Sequence, residues 1–373
     1  MKMIYFDNAA TTFPKPYNVI REVNRCIKKY CGNPGRSGHK LALETAEKVY
    51  STRELLAGFL DFDSPERIVF TCNSTYALNL AIKTSITERC HVISSDSEHN
   101  SVLRPLYDLK SSLGIEISFF TAGGDLREKI KPLIRDDTKA IICTLMSNVT
   151  GVENSLEVLS NIRKENNLLL IVDASQAVGH KPISLKDFPC DIFCAPGHKS
   201  LFGIQGAGFA VFCDERHRKE FILGGTGIDS KKHGMPKNLP ERYEAGTLPV
   251  PPIVSIGAGI NYINYVGINE IEHKITVLTE KTIEMLDSIK GISYTGYNGI
   301  ISFNLEGVPS SVVASLLDGY GICVRSGFHC APIIHKSLGT EKYGTARISF
   351  SYLNKVRQLD KLYQALKQIS REI

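Results

Sequence analysis

The sequence predicts an α/β fold, in which helices cover a mostly parallel β-sheet. Between about residues 41 and 213, apolar runs of strand length alternate with segments of helical periodicity. This alternation is typical of parallel sheets, because each pair of parallel strands needs a crossover connection. The runs are also rich in β-branched and apolar residues without a polar face, as expected for strands buried between two layers of helices.

Each element of this sheet follows from a local pattern. Helices are predicted from about residue 41 to 59, from about residue 76, and after residue 100. Short apolar runs between the helical segments predict the strands. In chain order, the predicted strands cover residues 68–71, 91–94, 116–120, 140–145, 168–172, 191–194 and 207–212.

The pattern changes after Pro249 and Pro252. A long helical segment from about 253 to 286 precedes short strands at 300–304 and 347–351 and a last helix at 356–369. We therefore expect a large domain over residues 16–252. A smaller α+β domain would cover residues 253–373, together with the N-terminal residues 1–15.

Composition and charge exclude several classes of function. The 373 residues carry a formal net charge of +5 without a basic run, which argues against a nucleic-acid partner. No stretch approaches the roughly 18 apolar residues of a membrane span, and the start lacks the apolar core of a signal peptide. The ten cysteines show no CxxC spacing, and Cys190 and Cys194 are typical of core thiols. We expect a cytoplasmic protein without a metal site or a membrane partner.

Polar residues directly follow five of the predicted strands. Ligands bind beyond the carboxyl ends of strands in open parallel sheets, so these side chains should converge on one rim. They are Asn73, Ser74 and Thr75; Asp96, Glu98, His99 and Asn100; Ser147 and Asn148; Asp173 and Gln176; and His198 and Lys199.

Some of these residues suit an organic phosphate cofactor, although each also has a structural explanation. Ser74 and Thr75 precede a helix, so they would either hold a phosphate or cap the helix. Asp173 leaves a buried strand and needs a cationic partner, either a protein side chain or a protonated ring nitrogen. Lys199 lies in a glycine-rich loop and is either a surface charge or an imine-forming amine. With His99 able to stack on a ring, the set describes a pyridoxal phosphate pocket.

With these residues, the chain resembles the class V aminotransferase-like group of fold type I pyridoxal phosphate enzymes, and within it the cysteine desulfurases. The resemblance implies a seven-stranded, mostly parallel sheet in the large domain. It rests on the ordered segments YFDNAATT (5–12), NPGRSGH (33–39), SEHNSVLRP (97–105), SNVTGVENS (147–155), VDASQAVGH (172–180), GHKSLFGIQGAG (197–208), RYEAGT (242–247) and RSGFHCA (325–331).

The resemblance implies roles for single residues. Lys199 would join the cofactor as an imine, Asp173 would pair with its ring nitrogen, and His99 would stack on the ring. Other implied cofactor contacts are Ser74, Thr75, Asn148, Gln176 and His198, with Gly246 and Thr247 reaching in from a second subunit, so that a homodimer is implied. Implied substrate contacts are Asn8, Arg36, Asn148, Arg325 and Arg347.

Cys330 indicates the reaction. It lies in a turn after Arg325 and His329, and we expect these two residues to supply the positive potential that favours a thiolate. The resemblance implies that Lys199 removes the α-proton of L-cysteine and that Cys330 takes the sulfur as a persulfide. L-alanine is then released, and the sulfur passes to an acceptor protein, as in sulfur metabolism and iron–sulfur cluster assembly.

Departures from the family pattern leave alternatives open. Pro196 replaces a serine that often contacts the phosphate, and Asn73 and Tyr76 replace a glycine and an acidic residue beside the phosphate-binding hydroxyls. Pro332 soon after Cys330 predicts a short, ordered catalytic loop. A selenocysteine lyase would use the same residues. An epimerase or aminotransferase would leave Cys330 without a role, and a non-enzymatic sulfur carrier would not need Lys199 and Asp173.

Overall fold

A computed structural model describes residues 3–35, 38–216, 218–228 and 231–372. In the described residues the strands, in chain order, are β1 (Ile4–Tyr5), β2 (Ile68–Thr71), β3 (His91–Ser95), β4 (Glu116–Phe120), β5 (Thr138–Thr144), β6 (Leu169–Asp173), β7 (Ile192–Pro196), β8 (Gly208–Phe212), β9 (Ile292–Tyr297), β10 (Ile300–Leu305), β11 (Ile322–Cys323), β12 (Arg325–Gly327) and β13 (Thr345–Ser349).

The helices lie between these strands and after them. They are α1 (Tyr17–Arg25), α2 (Lys40–Phe59), α3 (Ser74–Ser85), α4 (Asn100–Leu113), α5 (Leu126–Ile130), α6 (Leu156–Asn166), α7 (Val250–Val266), α8 (Ile268–Asp287), α9 (Ser310–Gly319), α10 (Ile334–Ser337) and α11 (Arg357–Glu372). Short 3₁₀ turns cover Pro65–Arg67 and Lys131–Leu133, and a π-helical turn covers Cys26–Tyr30.

The large sheet has seven strands in the order β2-β8-β7-β6-β5-β3-β4. Strand β8 runs antiparallel to both of its neighbours, and the other pairs are parallel. The predicted α/β class and the seven-stranded, mostly parallel sheet are therefore confirmed. In the register of β5 and β6, Thr144 lies opposite Asp173, so both strands end at the same edge.

Alternate residues of the central strands enter opposite hydrophobic layers, as the pleat of a strand requires. In β5, Ile141 and Cys143 belong to the layer that contains α2 and α7. Ala140 and Ile142 belong to the layer that contains α3 and α4. Burial on both faces explains why the strand sequences are apolar without interruption.

A second, antiparallel sheet has the order β12-β13-β10-β9. Its apolar core includes side chains of α8, α9 and α11. The N-terminal segment joins this part of the chain through the parallel pair β1–β11 and through a bridge between Asp7 and Ser349. These contacts place residues 4–5 beside β11 and Asp7 beside β13.

The predicted continuous helix over 253–286 is wrong. The helix is interrupted at Gly267, which lies between α7 and α8. Its φ of +92° is a backbone angle that glycine adopts without steric cost. Ile253, Ile256 and Ile260 of α7 pack in the hydrophobic layer of the large sheet. The domain division near residue 252 stays a prediction, and this packing favours a later one, near Gly267.

In the described ranges, no helix is both long and apolar enough to cross a membrane. The same part of the chain contains no group of three or more His, Cys, Asp or Glu side chains placed to hold a metal ion.

Candidate active site

A cavity of about 220 Å³ lies at the carboxyl ends of the parallel strands. It collects most of the predicted polar side chains, and two arginines from the smaller sheet close one side. The predicted site residues that line it are Ser74, Thr75, His99, Asn148, Asp173, Gln176, His198, Lys199, Arg325 and Arg347.

The start of α3 forms one wall of the cavity. Asn73, not Ser74 or Thr75, caps this helix, because its side-chain oxygen accepts a hydrogen bond from the Tyr76 N–H at 2.9 Å. The Ser74 hydroxyl therefore lies free of the cap, 2.9 Å from the Ser175 hydroxyl. The Thr75 hydroxyl lies 2.7 Å from that of Ser101. Two hydroxyls at a helix N-terminus form a suitable anion-binding group.

The structure fits a phosphate group at this wall. Gly208 opens β8 so close to the loop that a Cβ atom there would lie 2.6 Å from the Asn73 carbonyl carbon and 2.8 Å from the Ser74 nitrogen. The Nδ1 atom of His198 is buried and has no hydrogen-bond partner among the described residues. Pro196, at the end of β7, lines the same wall without a side-chain donor. A bound phosphate would give the Nδ1 atom of His198 a hydrogen-bond partner.

Lys199 and Asp173 face the cavity from neighbouring strand ends. Burial lowers the pKa of the lysine amine to about 8, although the Asp173 carboxylate acts in the opposite direction. A lowered pKa raises the fraction of uncharged, nucleophilic amine near neutral pH, which a lysine that forms an imine needs. The buried Asp173 carboxylate accepts a hydrogen bond from the Ser175 N–H at 2.9 Å, which fixes its orientation at the rim.

His99 is uncharged and fixed in place. Burial, with a smaller contribution from Lys199, lowers the pKa of His99 to about 4. Its Nδ1 atom lies 2.8 Å from the Ser101 hydroxyl, which continues the chain of contacts to Thr75. A neutral imidazole held in this way is suited to stack on a planar ring. Gln176 is also anchored, since its side-chain nitrogen donates to the Ala9 carbonyl at 3.0 Å.

Arg347 lies on β13 with no surface exposed to solvent. Its Nη1 atom donates to the Asn148 carbonyl at 2.7 Å, and its Nη2 atom donates to the Asp7 carboxylate at 2.8 Å. The buried Nε atom has no partner in the described part of the chain. The guanidinium is therefore positioned by the segment after β5 and by the N-terminal segment, and Asp7 holds it by charge.

Cys330 lies next to the cavity but does not line it. Its Sγ atom is 3.3 Å from Nη2 of Arg325, which does line it. The expectation that His329 also supplies positive charge is wrong. Burial lowers the pKa of His329 to about 2, so the ring is neutral, and its Nε2 atom lies 3.0 Å from the Thr345 carbonyl. Of Arg325 and His329, only Arg325 places a positive charge beside the thiol.

Besides Cys330, three of the predicted site residues that the structure describes do not line the cavity. Asn8 donates from its side-chain amide to the Ser349 carbonyl at 2.9 Å and to the Asn354 side chain at 3.1 Å, so it binds the N-terminal segment to the small sheet. Arg36 lies outside the described residues. Gly246 and Thr247 are exposed on the surface, and their role in a second subunit stays a prediction.

The residues that sequence reasoning missed are Asp7, Ser101 and Ser175. Each has a direct bond to a predicted site residue. Each also lies inside one of the motifs quoted above, so a search for polar neighbours within the motifs would have found them.

The family profile and the sequence relatives of this chain indicate the same family. The profile of the family described as Aminotransferase class-V matches residues 4–362. A probable cysteine desulfurase of Methanothermobacter thermautotrophicus is 32% identical, over 98% of this chain and 94% of the relative. Another, of Borreliella burgdorferi, is 31% identical, over 100% of this chain and 92% of the relative.

Solved structures agree with these relatives. The apo structure of a cysteine desulfurase from Thermococcus onnurineus has a TM-score of 0.90 and 29% identity, covering 100% of this chain and 95% of that chain. A cysteine desulfurase of Escherichia coli shares the fold, with a TM-score of 0.89 and 23% identity over 100% of this chain and 95% of that chain. The chain therefore belongs to the aminotransferase class-V family, and within it to the cysteine desulfurase family.

Proposed function

We propose that this chain is a pyridoxal phosphate-dependent cysteine desulfurase that converts L-cysteine to L-alanine and keeps the sulfur on Cys330. The observation that carries the proposal is the position of Arg325, which lines the cavity and also lies 3.3 Å from the Cys330 sulfur. A thiol beside a cation at the edge of a substrate cavity is suited to attack a sulfur atom bound inside.

The proposed reaction balances without an external oxidant. The C–S bond of L-cysteine breaks, and an S–S bond forms between its sulfur and Cys330. The proton that leaves the Cys330 thiol balances the hydrogen that the carbon atom gains. The products are L-alanine and a Cys330 persulfide.

The cavity residues suit pyridoxal phosphate as the cofactor. We place its phosphate at Ser74, Thr75 and His198, and its ring between Asp173 and His99, because these side chains line one cavity. When bound, pyridoxal phosphate supplies an electron sink for the pair of electrons left by the α-proton. The negative charge of Asp173 would keep the ring nitrogen protonated.

Lys199 would act as the base that takes the α-proton. Its pKa of about 8 leaves part of the population with a free electron pair near neutral pH, and returns the proton readily. Arg347 would bind the substrate carboxylate, because its guanidinium lines the cavity and is held by Asp7 and Asn148. The substrate would then lie between this fixed cation and the Lys199 base.

We also propose a homodimer. Gly246 and Thr247 are exposed, and the segment that precedes them exposes the apolar side chains of Ile222 and Leu223. Burial of such side chains against a second copy would bring Thr247 toward the partner's cavity. Leu223→Asp should convert a dimer to monomers in sedimentation and weaken cofactor binding. An unchanged mass would contradict the proposal.

A cytosolic location is supported by the cysteines. All ten are free thiols, although Cys26 lies near Cys31 and Cys190 lies near Cys213. Reduced cysteines in this number are typical of a reducing compartment.

The test of the proposed activity uses the holoenzyme and L-cysteine. Wild type should release alanine and, with a reductant present, equal sulfide. Cys330→Ala should lose sulfide and persulfide while it still binds the cofactor and perturbs its absorbance on addition of L-cysteine. Cys323→Ala is a matched control on the neighbouring strand β11 and should keep both products. Full sulfide release by Cys330→Ala would refute the assignment, and selenocysteine should be assayed alongside.

A further inference from the structure

A second cleft, of about 390 Å³, adjoins the candidate active site. The two share Thr75, His99 and Ser101 as a common wall. Cys330 lines this outer cleft. It is not among the described residues that line the inner cavity. The thiol therefore has access to a space that the substrate cavity does not occupy.

The backbone fixes this position of the thiol. His329 and Cys330 both have left-handed backbone angles, with φ of +50° and +60°. Two hydrogen bonds, from Asn100 and Asn148, hold these two residues in place. The Asn100 N–H donates to the Cys330 carbonyl at 2.6 Å, and the Asn148 side chain donates to the His329 carbonyl at 2.7 Å. Two consecutive residues in this region are costly for side chains other than glycine, so these contacts define the exposure of the thiol.

The walls of the outer cleft carry a net positive charge. They come from α3 and α4, whose charged side chains here are Lys83, Arg104 and Asp108. Lys83 and Asp108 form an ion pair at 2.8 Å and cancel each other. Arg104 is exposed and has no ion-pair partner within the described ranges. Because one cation is left over, the cleft favours an anionic partner.

We infer that the outer cleft is the docking site of the sulfur acceptor, and that the acceptor is a protein segment with a cysteine beside acidic residues. The inference rests on the proposed desulfurase function. The acceptor thiolate would attack the outer sulfur of the Cys330 persulfide. The S–S bond to Cys330 breaks as a new S–S bond forms on the acceptor, and the electron pair returns to the Cys330 thiolate.

The test separates sulfur uptake from sulfur transfer. Holoenzyme is mixed with one equivalent of L-cysteine, and the alanine burst is measured as a record of uptake. Two synthetic peptides are then added, each with one cysteine, flanked either by aspartates or by lysines. Mass spectrometry of the peptide persulfides gives the transfer rate. Wild type should transfer faster to the acidic peptide.

Charge reversal in the cleft should change this preference. Arg104→Glu should slow transfer to the acidic peptide about tenfold and leave the alanine burst unchanged. Lys110→Glu makes the same change on the same helix but outside the cleft, and should keep the wild-type preference. Equal effects of the two substitutions would overturn the inference.

A steric variant tests the route itself. Asn79 lines the cleft between Thr75 and Lys83, and its side chain donates to the Thr75 carbonyl at 2.9 Å. Asn79→Trp should slow transfer to both peptides, whereas Asn79→Ser should not. Transfer at the wild-type rate by Asn79→Trp would refute the cleft as the docking site. A missing alanine burst in wild type would instead refute the proposed desulfurase function.

Discussion

Asp7 and Arg347 form an ion pair of 2.8 Å that joins the N-terminal segment to the last strand of the fold. The arginine side chain is 0% exposed and the aspartate 20% exposed. Removal of one partner from such a pair leaves a buried charge without compensation. The pair therefore fixes the Arg347 guanidinium, which we predict to bind the substrate carboxylate. The stability of this buried charge depends on Asp7.

Asp7→Asn should lower the free energy of unfolding by about 3 kcal/mol, because Arg347 loses its counter-charge. Urea unfolding of the apo-protein measures the change. Glu165→Gln is the control, since Glu165 pairs with Arg127 at 2.7 Å on the surface and its loss should be undetectable. Equal destabilisation by the two substitutions would contradict the account.

Covalent attachment of pyridoxal phosphate to the apo-protein should accelerate as the pH rises through about 8. The reason is that burial lowers the pKa of Lys199 to about 8, and only the uncharged amine reacts. Stopped-flow absorbance across pH 6.5 to 9.5 measures the midpoint. Lys199→Arg should show no attachment at any pH, and a midpoint above 10 would show that the amine is not desolvated.

Glu98 should make the apo-protein less stable as the pH rises from about 4.5 to about 8. Burial raises its pKa to about 8 in the folded state, so the folded protein keeps a proton that the unfolded chain releases above about 4.5. Stability from this group is complete below pH 4.5 and is lost on passing through pH 8. The maximum difference is about 5 kcal/mol at 1.36 kcal/mol per unit.

Glu98→Gln tests this dependence, because glutamine has no proton to lose. The difference in unfolding free energy between the variant and wild type should grow in favour of the variant from pH 5 to pH 8. Other titrating groups are common to both proteins and cancel in the comparison. A difference that does not vary with pH would mean that Glu98 is ionised in the folded protein.

Gly259→Ala should destabilise the protein by about 3 kcal/mol and reduce cofactor attachment. Gly259 lies on α7, and a Cβ atom there would approach the Leu201 carbonyl to 1.8 Å, two residues from Lys199. Gly58→Ala, on α2, meets no atom within 4 Å and should be neutral or slightly stabilising. Unfolding curves and cofactor titration measure both effects. A harmless Gly259→Ala would show that α7 can move away from the lysine loop.

The strands of the large sheet were predictable because they are apolar runs between polar ends. The predicted boundaries 68–71 and 116–120 coincide with β2 and β4. Strands β1, β9, β11 and β12 were missed. The two-residue strands β1 and β11 have no measurable periodicity and exist only through their mutual pairing. The break at Gly267 was also missed, since a single glycine is tolerated inside a helical pattern.

The site was predictable where topology alone places a residue. Asp173 and Lys199 follow adjacent strands of one sheet, so their meeting follows from strand order. The neutral state of His329 could not be predicted, because it depends on burial of the ring, whose Nε2 atom contacts Thr345 of β13. The pairing of Asp7 with Arg347 could not be predicted either, since their sequence separation of 340 residues carries no local signal.

The bridge between Asp7 and Ser349 also has a consequence for biosynthesis. A nascent chain can complete its large sheet once β8 has left the ribosome, but Arg347 emerges much later. Until then Asp7 has no counter-ion and the cavity lacks one wall. Because contacts between distant residues form only after the intervening chain is available, the substrate-binding wall of the cavity forms only after β13 has been synthesised.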